Sequence, residues 1–188
     1  MSSHHIVREK QEPALLIIDF AGFNPEYLGQ LLEWSPTVIV SESAYAEVEL
    51  SGIKIDAVIT KNHNVATQNH TRIIETASSP IEDGLKFLTG EQYQAVNIIS
   101  PAFVLKDYAL YAELINLAVF TPGKKIFAVK SGFSKWDVAG KEIELVHEVV
   151  DLTTSGLEHI TPSRLKTQKD GFYSLCFNQP FLFIAEDL

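Results

Sequence analysis

Hydrophobic residues along this chain arrive first in short unbroken runs and later in strand-length patches separated by turns. Ala14-Leu-Leu-Ile-Ile18, Thr37-Val-Ile-Val40, Ala57-Val-Ile59 and Ala95-Val-Asn-Ile-Ile99 are runs of this first kind. They suit strands buried on both faces of a parallel sheet. Between them lie helix signals. Asn24-Pro25 is a cap followed by proline at the first helical position, Leu28, Leu31 and Leu32 follow at helical spacing, and Ser35-Pro36 ends the helix. Residues 43–50 read as a short helix stopped by Gly52. Ser78-Ser79-Pro80 opens another, with Glu82 and Asp83 near its positive end and Leu85 and Leu88 on its apolar side. Arg72-Ile-Ile-Glu75 reads as a short strand after a polar loop over residues 61–70. Leu105, Tyr108, Tyr111, Leu114, Ile115 and Ala118 share one helical face, which predicts a long helix over roughly residues 104–119.

Strands alternating with helices imply a mostly parallel sheet with flanking helices, up to about residue 121. Pro122-Gly123 then breaks the rhythm. Ile126-Phe-Ala-Val129, Glu142-Ile-Glu-Leu-Val146, Gly171-Phe-Tyr-Ser-Leu-Cys-Phe177 and Phe181-Leu-Phe-Ile184 follow as strand candidates. Turn residues such as Ser131-Gly132, Ala139-Gly140 and Asn178-Gln179-Pro180 divide them. The expected fold class is therefore α/β over residues 1–121, followed over residues 122–188 by a small antiparallel β-sandwich or barrel. A β-rich part of about 65 residues is marginal as an independent core. It is expected to lean on the first domain or on a second copy, which predicts a homodimer.

Composition narrows the function classes. In 188 residues, 46% are hydrophobic and 21% charged, as in ordinary globular proteins. The formal net charge of -9 argues against nucleic acid and against anionic membrane as partners, because both are held through basic patches. Cys176 is the only cysteine, so no internal disulfide or cysteine-rich metal site can form. Its apolar surroundings in sequence suggest a core position. The polar start of the chain lacks a signal-peptide core. No segment approaches the roughly 18 consecutive apolar residues of a membrane span. The expected location is the cytoplasm.

Ligands of open α/β sheets gather beyond the carboxyl ends of the strands. The residues there are Asp19, Ser41-Glu42-Ser43, Thr60 to Asn64, Thr76 to Ser79 and Ser100 to Asp107. They contain no dinucleotide fingerprint, phosphate loop or serine elbow. His63 and His70 fit no zinc spacing, so no metal site is expected from them. His4 and His5 are assigned nothing. Asp19 reads as a loop-bonding carboxylate, with a catalytic or ribose-binding acid as the alternative. Glu82 and Asp83 are explained by the helix dipole. Trp136 reads first as a packing aromatic, with stacking on a flat ligand ring as the alternative.

The order of segments, Thr37 to Asp56, then Ile81 to Ile99, then Leu105 to Leu117, resembles the thiamine pyrophosphokinases, especially their short bacterial form. In that family an A-D-G-G-like turn, a G-D-x-D-S motif, a D-x-T-D segment and a G-x-R-x-D-H motif follow successive strands. Position by position, the first acid falls on Glu42 and its glycine on Ser43. Thr60-Lys61-Asn62-His63 stands in place of G-D-x-D, so both acids are replaced, one by lysine. Ala77-Ser78-Ser79-Pro80 replaces D-x-T-D. Asp107 matches the last aspartate, Tyr108 replaces the histidine, and Ser100 begins a segment lacking the family's glycines and arginine. In the β-rich part, Lys169-Asp-Gly171 keeps a family-like turn, while Ser163-Arg164-Leu165 replaces a Ser-Asn pair.

The resemblance implies transfer of a pyrophosphoryl group from ATP to thiamine, with Mg2+ bridging the phosphates and thiamine bound across a dimer. Hard cations need clustered carboxylates. A site reduced to Glu42 and Asp107 is expected to hold magnesium–ATP weakly, while Lys61 repels a cation and suits an anion. Three readings follow. The first is a non-catalytic relative binding a small ligand, thiamine or a nucleotide, with Asp19, Ser43, Lys61, His63, Ser100, Trp136 and Ser163 as candidate contacts. The second is an active thiamine pyrophosphokinase using Mg2+ and ATP, its metal site rebuilt from Asp19, Glu42, Asp83 and Asp107. The third is a pure interaction module.

Overall fold

Strands β1 (Ala14–Ile17), β2 (Val38–Ser41) and β3 (Ala57–Thr60) are buried at every position, as strands covered on both faces must be. In this computed structural model the described residues are 10, 12–20, 22–62, 67–77 and 79–188. The chain divides into two compact units, with the boundary between Leu117 and Ala118.

In the first unit the strands run in the order β5-β1-β2-β3-β4, where β4 is Arg72–Glu75 and β5 is Ala95–Ile99. All these pairings are parallel. Helices cover both faces. On one face, α1 (Pro25–Leu32) and α2 (Glu42–Leu50) pack over Leu15, Ile17, Val38, Val40 and Val58. On the other, α3 (Pro80–Gly90) comes so close that a Cβ on Gly84 would lie 2.9 Å from Leu16 Cδ2 and 3.1 Å from Ile59 Cδ1. Glycine is what permits that approach.

Local chemistry starts each helix. Asn24 accepts the Glu26 N–H with Pro25 at the first position, Ser41 accepts from Ala44, and Ser79 accepts from Glu82 ahead of Pro80. The register sets Ser41 beside Ile59 and Thr60 beside Glu75. Chain leaving β2, β3 and β4 therefore emerges at one edge.

The second unit is all β. Its larger sheet runs β11-β12-β9-β14-β7-β6 and its smaller one β10-β13-β8, with antiparallel pairing throughout. The strands are β6 (Asn116–Thr121), β7 (Lys124–Val129), β8 (Phe133–Asp137), β9 (Glu142–Leu145), β10 (Thr153–Ser155), β11 (Leu157–Thr161), β12 (Arg164–Thr167), β13 (Gly171–Cys176) and β14 (Leu182–Asp187). The two sheets share a core that includes Ile143, Leu165, Tyr173, Leu175, Leu182 and Ile184. Lys135 of the small sheet also reaches Glu186 of the large one, at 2.7 Å to each carboxylate oxygen. Tyr173 donates to the same carboxylate at 3.2 Å, and Lys135 pairs with Asp137 at 3.1 Å.

Three expectations fail. The long helix over residues 104–119 does not form: α4 spans only Leu105–Tyr108, a 3-10 turn covers Ala109–Tyr111, and β6 begins at Asn116. The Leu117-Ala-Val-Phe-Thr121 stretch pairs with β7 instead, and tertiary pairing overrides a helical spacing. Cys176 is exposed rather than core. Strand alternation sends Tyr173 and Leu175 inward, and so sends Cys176 out. Trp136 is 53% exposed rather than packed away, because it alternates with the inward-facing Phe133, Lys135 and Asp137. Among the described residues no helix is long and apolar enough to cross a membrane.

Candidate functional site

At the edge where β2, β3 and β4 end, an open cleft of about 430 Å³ is lined by Ser41, Glu42, Ser43, Ile59, Lys61, Thr76 and Pro80. Each lining residue is placed by the secondary structure that ends or begins there. Ser41 closes β2 and caps α2, so Glu42 and Ser43 occupy the first turn of α2. Lys61 follows β3, Thr76 follows β4, and Pro80 opens α3.

The polar groups are largely committed to one another. Thr60, 1% exposed, donates its hydroxyl to Glu42 Oε2 at 2.6 Å and accepts the Asn62 N–H at 2.9 Å. Ser41 donates to the Ile18 carbonyl at 2.6 Å, and Ser43 reaches the same carbonyl at 3.2 Å. Thr76 donates to Asp83 Oδ2 at 2.8 Å, and the same oxygen accepts the Ala77 N–H at 3.0 Å. Asp83 is buried. It does more than sit in a helix field, since it ties the β4–α3 loop to α3.

Lys61 makes no ion pair with a described residue, although Glu42 lines the same cleft. Among the described residues no group of three or more His, Cys, Asp or Glu converges.

A search of solved structures finds close likenesses of fold over nearly the whole chain. Thiamine pyrophosphokinase from Bacillus subtilis superposes with a TM-score of 0.68 at 9% identity, covering 93% of this chain and 98% of that one. The enzyme from Geobacillus thermodenitrificans gives 0.70 at 8% identity, covering 93% and 97%. The yeast enzyme gives 0.66 at 10%, covering 95% and 87%. The chain has the thiamine pyrophosphokinase fold. No protein-family model matches it, and no curated protein matches it in sequence.

On this thiamine pyrophosphokinase fold, the structure brings together three of the residues singled out in the sequence: Glu42, Ser43 and Lys61. Asp107 sits in the first turn of α4 and is not among the residues lining the cleft. Asp19 follows β1, partly buried. Ser100 follows β5, buried, and its hydroxyl donates to Ala102 O at 2.9 Å. In the second unit, Ser163 lies in the exposed β11–β12 turn, with its carbonyl accepting the Leu145 N–H at 2.7 Å. Trp136 stands opposite Phe172, which is 74% exposed. His63 lies outside the described residues. Thr60, Thr76 and Asp83 complete the cleft's bonding, and sequence reasoning gave them no such part. The signal for Thr60 and Thr76 is a hydroxyl at or just past a strand end, which is informative only once the strand register is known.

The magnesium–ATP that this fold family implies can be tested against the donor set. Among the described residues the cleft presents one carboxylate, with one oxygen already accepting from Thr60, and one ammonium. A hard dication takes six or more oxygen ligands, several of them anionic. The described residues do not fit it.

Proposed function

We infer that this protein is a non-catalytic relative of the thiamine pyrophosphokinases that binds a small polar ligand, thiamine or a nucleotide, in the cytoplasm. One observation carries the reading. Glu42 and Lys61 stand together at one strand edge, where the sequence resemblance would put the family's acidic motifs, and Thr60 donates to Glu42. Catalysis of pyrophosphoryl transfer is mostly charge neutralisation and positioning. A lysine in a metal-ligand position opposes both for a cation. The exposed Trp136–Phe172 pair on the outer face of the small sheet supports a homodimer closed over that face.

The test is incubation with thiamine, ATP and magnesium, followed by quantification of thiamine diphosphate. The reading expects no product above a protein-free control. Turnover on the order of 1 s⁻¹ or faster, ordinary for an enzyme, would overturn it. The near-complete coverage of both chains in the fold comparison favours one second reading, an active thiamine pyrophosphokinase, and the same assay decides between them.

A further inference from the structure

We propose that His147 is an acid-sensitive latch: its neutral imidazole completes the ladder between β9 and β14, and protonation releases the loop after β9 from the start of β14. The inference is independent of the functional reading above.

β9 stops at Leu145, which faces Ile184 of β14. One residue further, backbone pairing is only half kept. The Val146 N–H donates to the Phe183 carbonyl at 3.0 Å, but the Phe183 N–H donates to Nε2 of the His147 ring, also at 3.0 Å. A side chain thus stands where a strand would present a carbonyl. This bond fixes the protonation of the ring. A backbone N–H can only donate, so Nε2 carries no hydrogen. Nδ1, 3.0 Å from the Glu148 carbonyl, is then the N–H that donates there. An imidazolium bears hydrogen on both nitrogens. It would set one N–H against another at a residue that is fully buried, and the bond to Phe183 could not survive.

The neighbouring bonds are few and do not titrate. The Asn178 N–H donates to the Val150 carbonyl at 2.9 Å, the Val150 N–H donates to Gln179 Oε1 at 3.1 Å, and Gln179 Nε2 donates to the Phe181 carbonyl at 2.8 Å. Of the two side chains in this set of bonds, His147 and Gln179, only the histidine changes charge near neutral pH. Its ring is held in place by Phe181 and Phe183, with centroids 6.0 and 6.1 Å away.

No nearby charge takes over the role. Phe183 is flanked on β14 by Leu182 and Ile184 and faces Ala128 of β7. The loop that carries His147 also carries Glu148 and Asp151, both exposed. His147 makes no ion pair among the described residues.

The experiment is amide hydrogen exchange of the full chain, read residue by residue by NMR at about pH 8 and about pH 5. Protection is taken relative to the intrinsic rate at each pH. In the wild type the Phe183 amide is expected to lose protection about tenfold or more on going to the lower pH, while amides of β7 and β12 keep theirs. His147→Gln supplies an uncharged acceptor of similar reach, and should hold Phe183 equally at both pH values. At the higher pH the ring nitrogen shifts of wild-type His147 should report hydrogen on Nδ1.

Equal protection of Phe183 at both pH values in the wild type would overturn the proposal. So would an acid loss in His147→Gln as large as in the wild type, or hydrogen on Nε2 at the higher pH. An acid loss spread over β7 and β12 would mean that the whole unit opens, and would overturn the latch as well.

Discussion

Thr60 donates a hydrogen bond from its buried hydroxyl to Glu42 Oε2 at 2.6 Å, and its oxygen accepts the Asn62 N–H at 2.9 Å. One residue at the end of β3 thereby fixes both the carboxylate of the neighbouring helix and the start of its own loop. Valine has nearly the same shape but neither bond. Thr60→Val is expected to cost about 1–3 kcal/mol, since it leaves a backbone N–H and a carboxylate oxygen short of a partner. Urea unfolding monitored by circular dichroism measures this. A variant as stable as wild type would show that the pair contributes nothing.

Tyr108 provides the opposite case. Its hydroxyl is fully buried and, among the described residues, meets no partner in hydrogen-bond geometry, and its ring stacks on Phe103 with centroids 5.0 Å apart. Burial pushes the phenol up to about 12, while the nearby Ser100 hydroxyl pulls the other way. Ser100 nevertheless gives its own proton to Ala102. Tyr108→Phe removes a desolvated group that gains nothing in the folded state, and should leave stability unchanged or raise it by about 1 kcal/mol. A clear loss of stability in the same unfolding experiment would contradict this.

The Lys135 cluster sets limits in pH. For Asp137, burial works to raise its pKa, but hydrogen bonds from Lys135 and the Val138 N–H, with the Lys135 charge, leave it lowered. A lowered carboxyl contributes stability above its unfolded value of about 3.9 and loses it as pH falls through the folded value. For Lys135, burial works to lower its pKa, but Glu186 and Asp137 leave it raised. Tyr173 is raised by burial and then by the charge of Glu186. Raised groups contribute stability below their unfolded values of about 10 and lose it as pH climbs further. Stability should therefore plateau between those limits and decline outside both. Lys135→Met should flatten the two limbs of a plot of urea midpoint against pH. Unchanged limbs would place the pH dependence elsewhere.

Phe172 and Trp136 stand opposite each other across β13 and β8, both largely exposed. A large aromatic pair on a sheet's outer face is costly to leave in water. Light scattering at micromolar concentration should give twice the monomer mass for the wild type, and Phe172→Asp should shift it toward monomer. A monomeric wild type would refute the dimer.

Much of the first unit can be read directly from the chain. The unbroken runs at β1, β2 and β3 announce burial on both faces, and the Asn24-Pro25 and Ser79-Pro80 pairs announce helix starts that the structure confirms bond for bond. Residues 104–119 misled because leucines and tyrosines at helical spacing also serve a short helix, a 3-10 turn and a strand in succession. Cys176 and Trp136 misled because apolar character in sequence does not say which face of a strand a residue occupies. At the cleft, Glu42, Ser43 and Lys61 were legible as residues following strands. The Thr60–Glu42 and Thr76–Asp83 bonds were not, because they depend on which strands lie side by side and at what register.

The non-catalytic reading requires that the cleft offer no seat for a divalent cation carrying a triphosphate. Calorimetric titration of ATP into the full chain, once with magnesium and once with EDTA, decides it. Magnesium is expected to add no affinity. ATP binding that appears only when magnesium is present would contradict it.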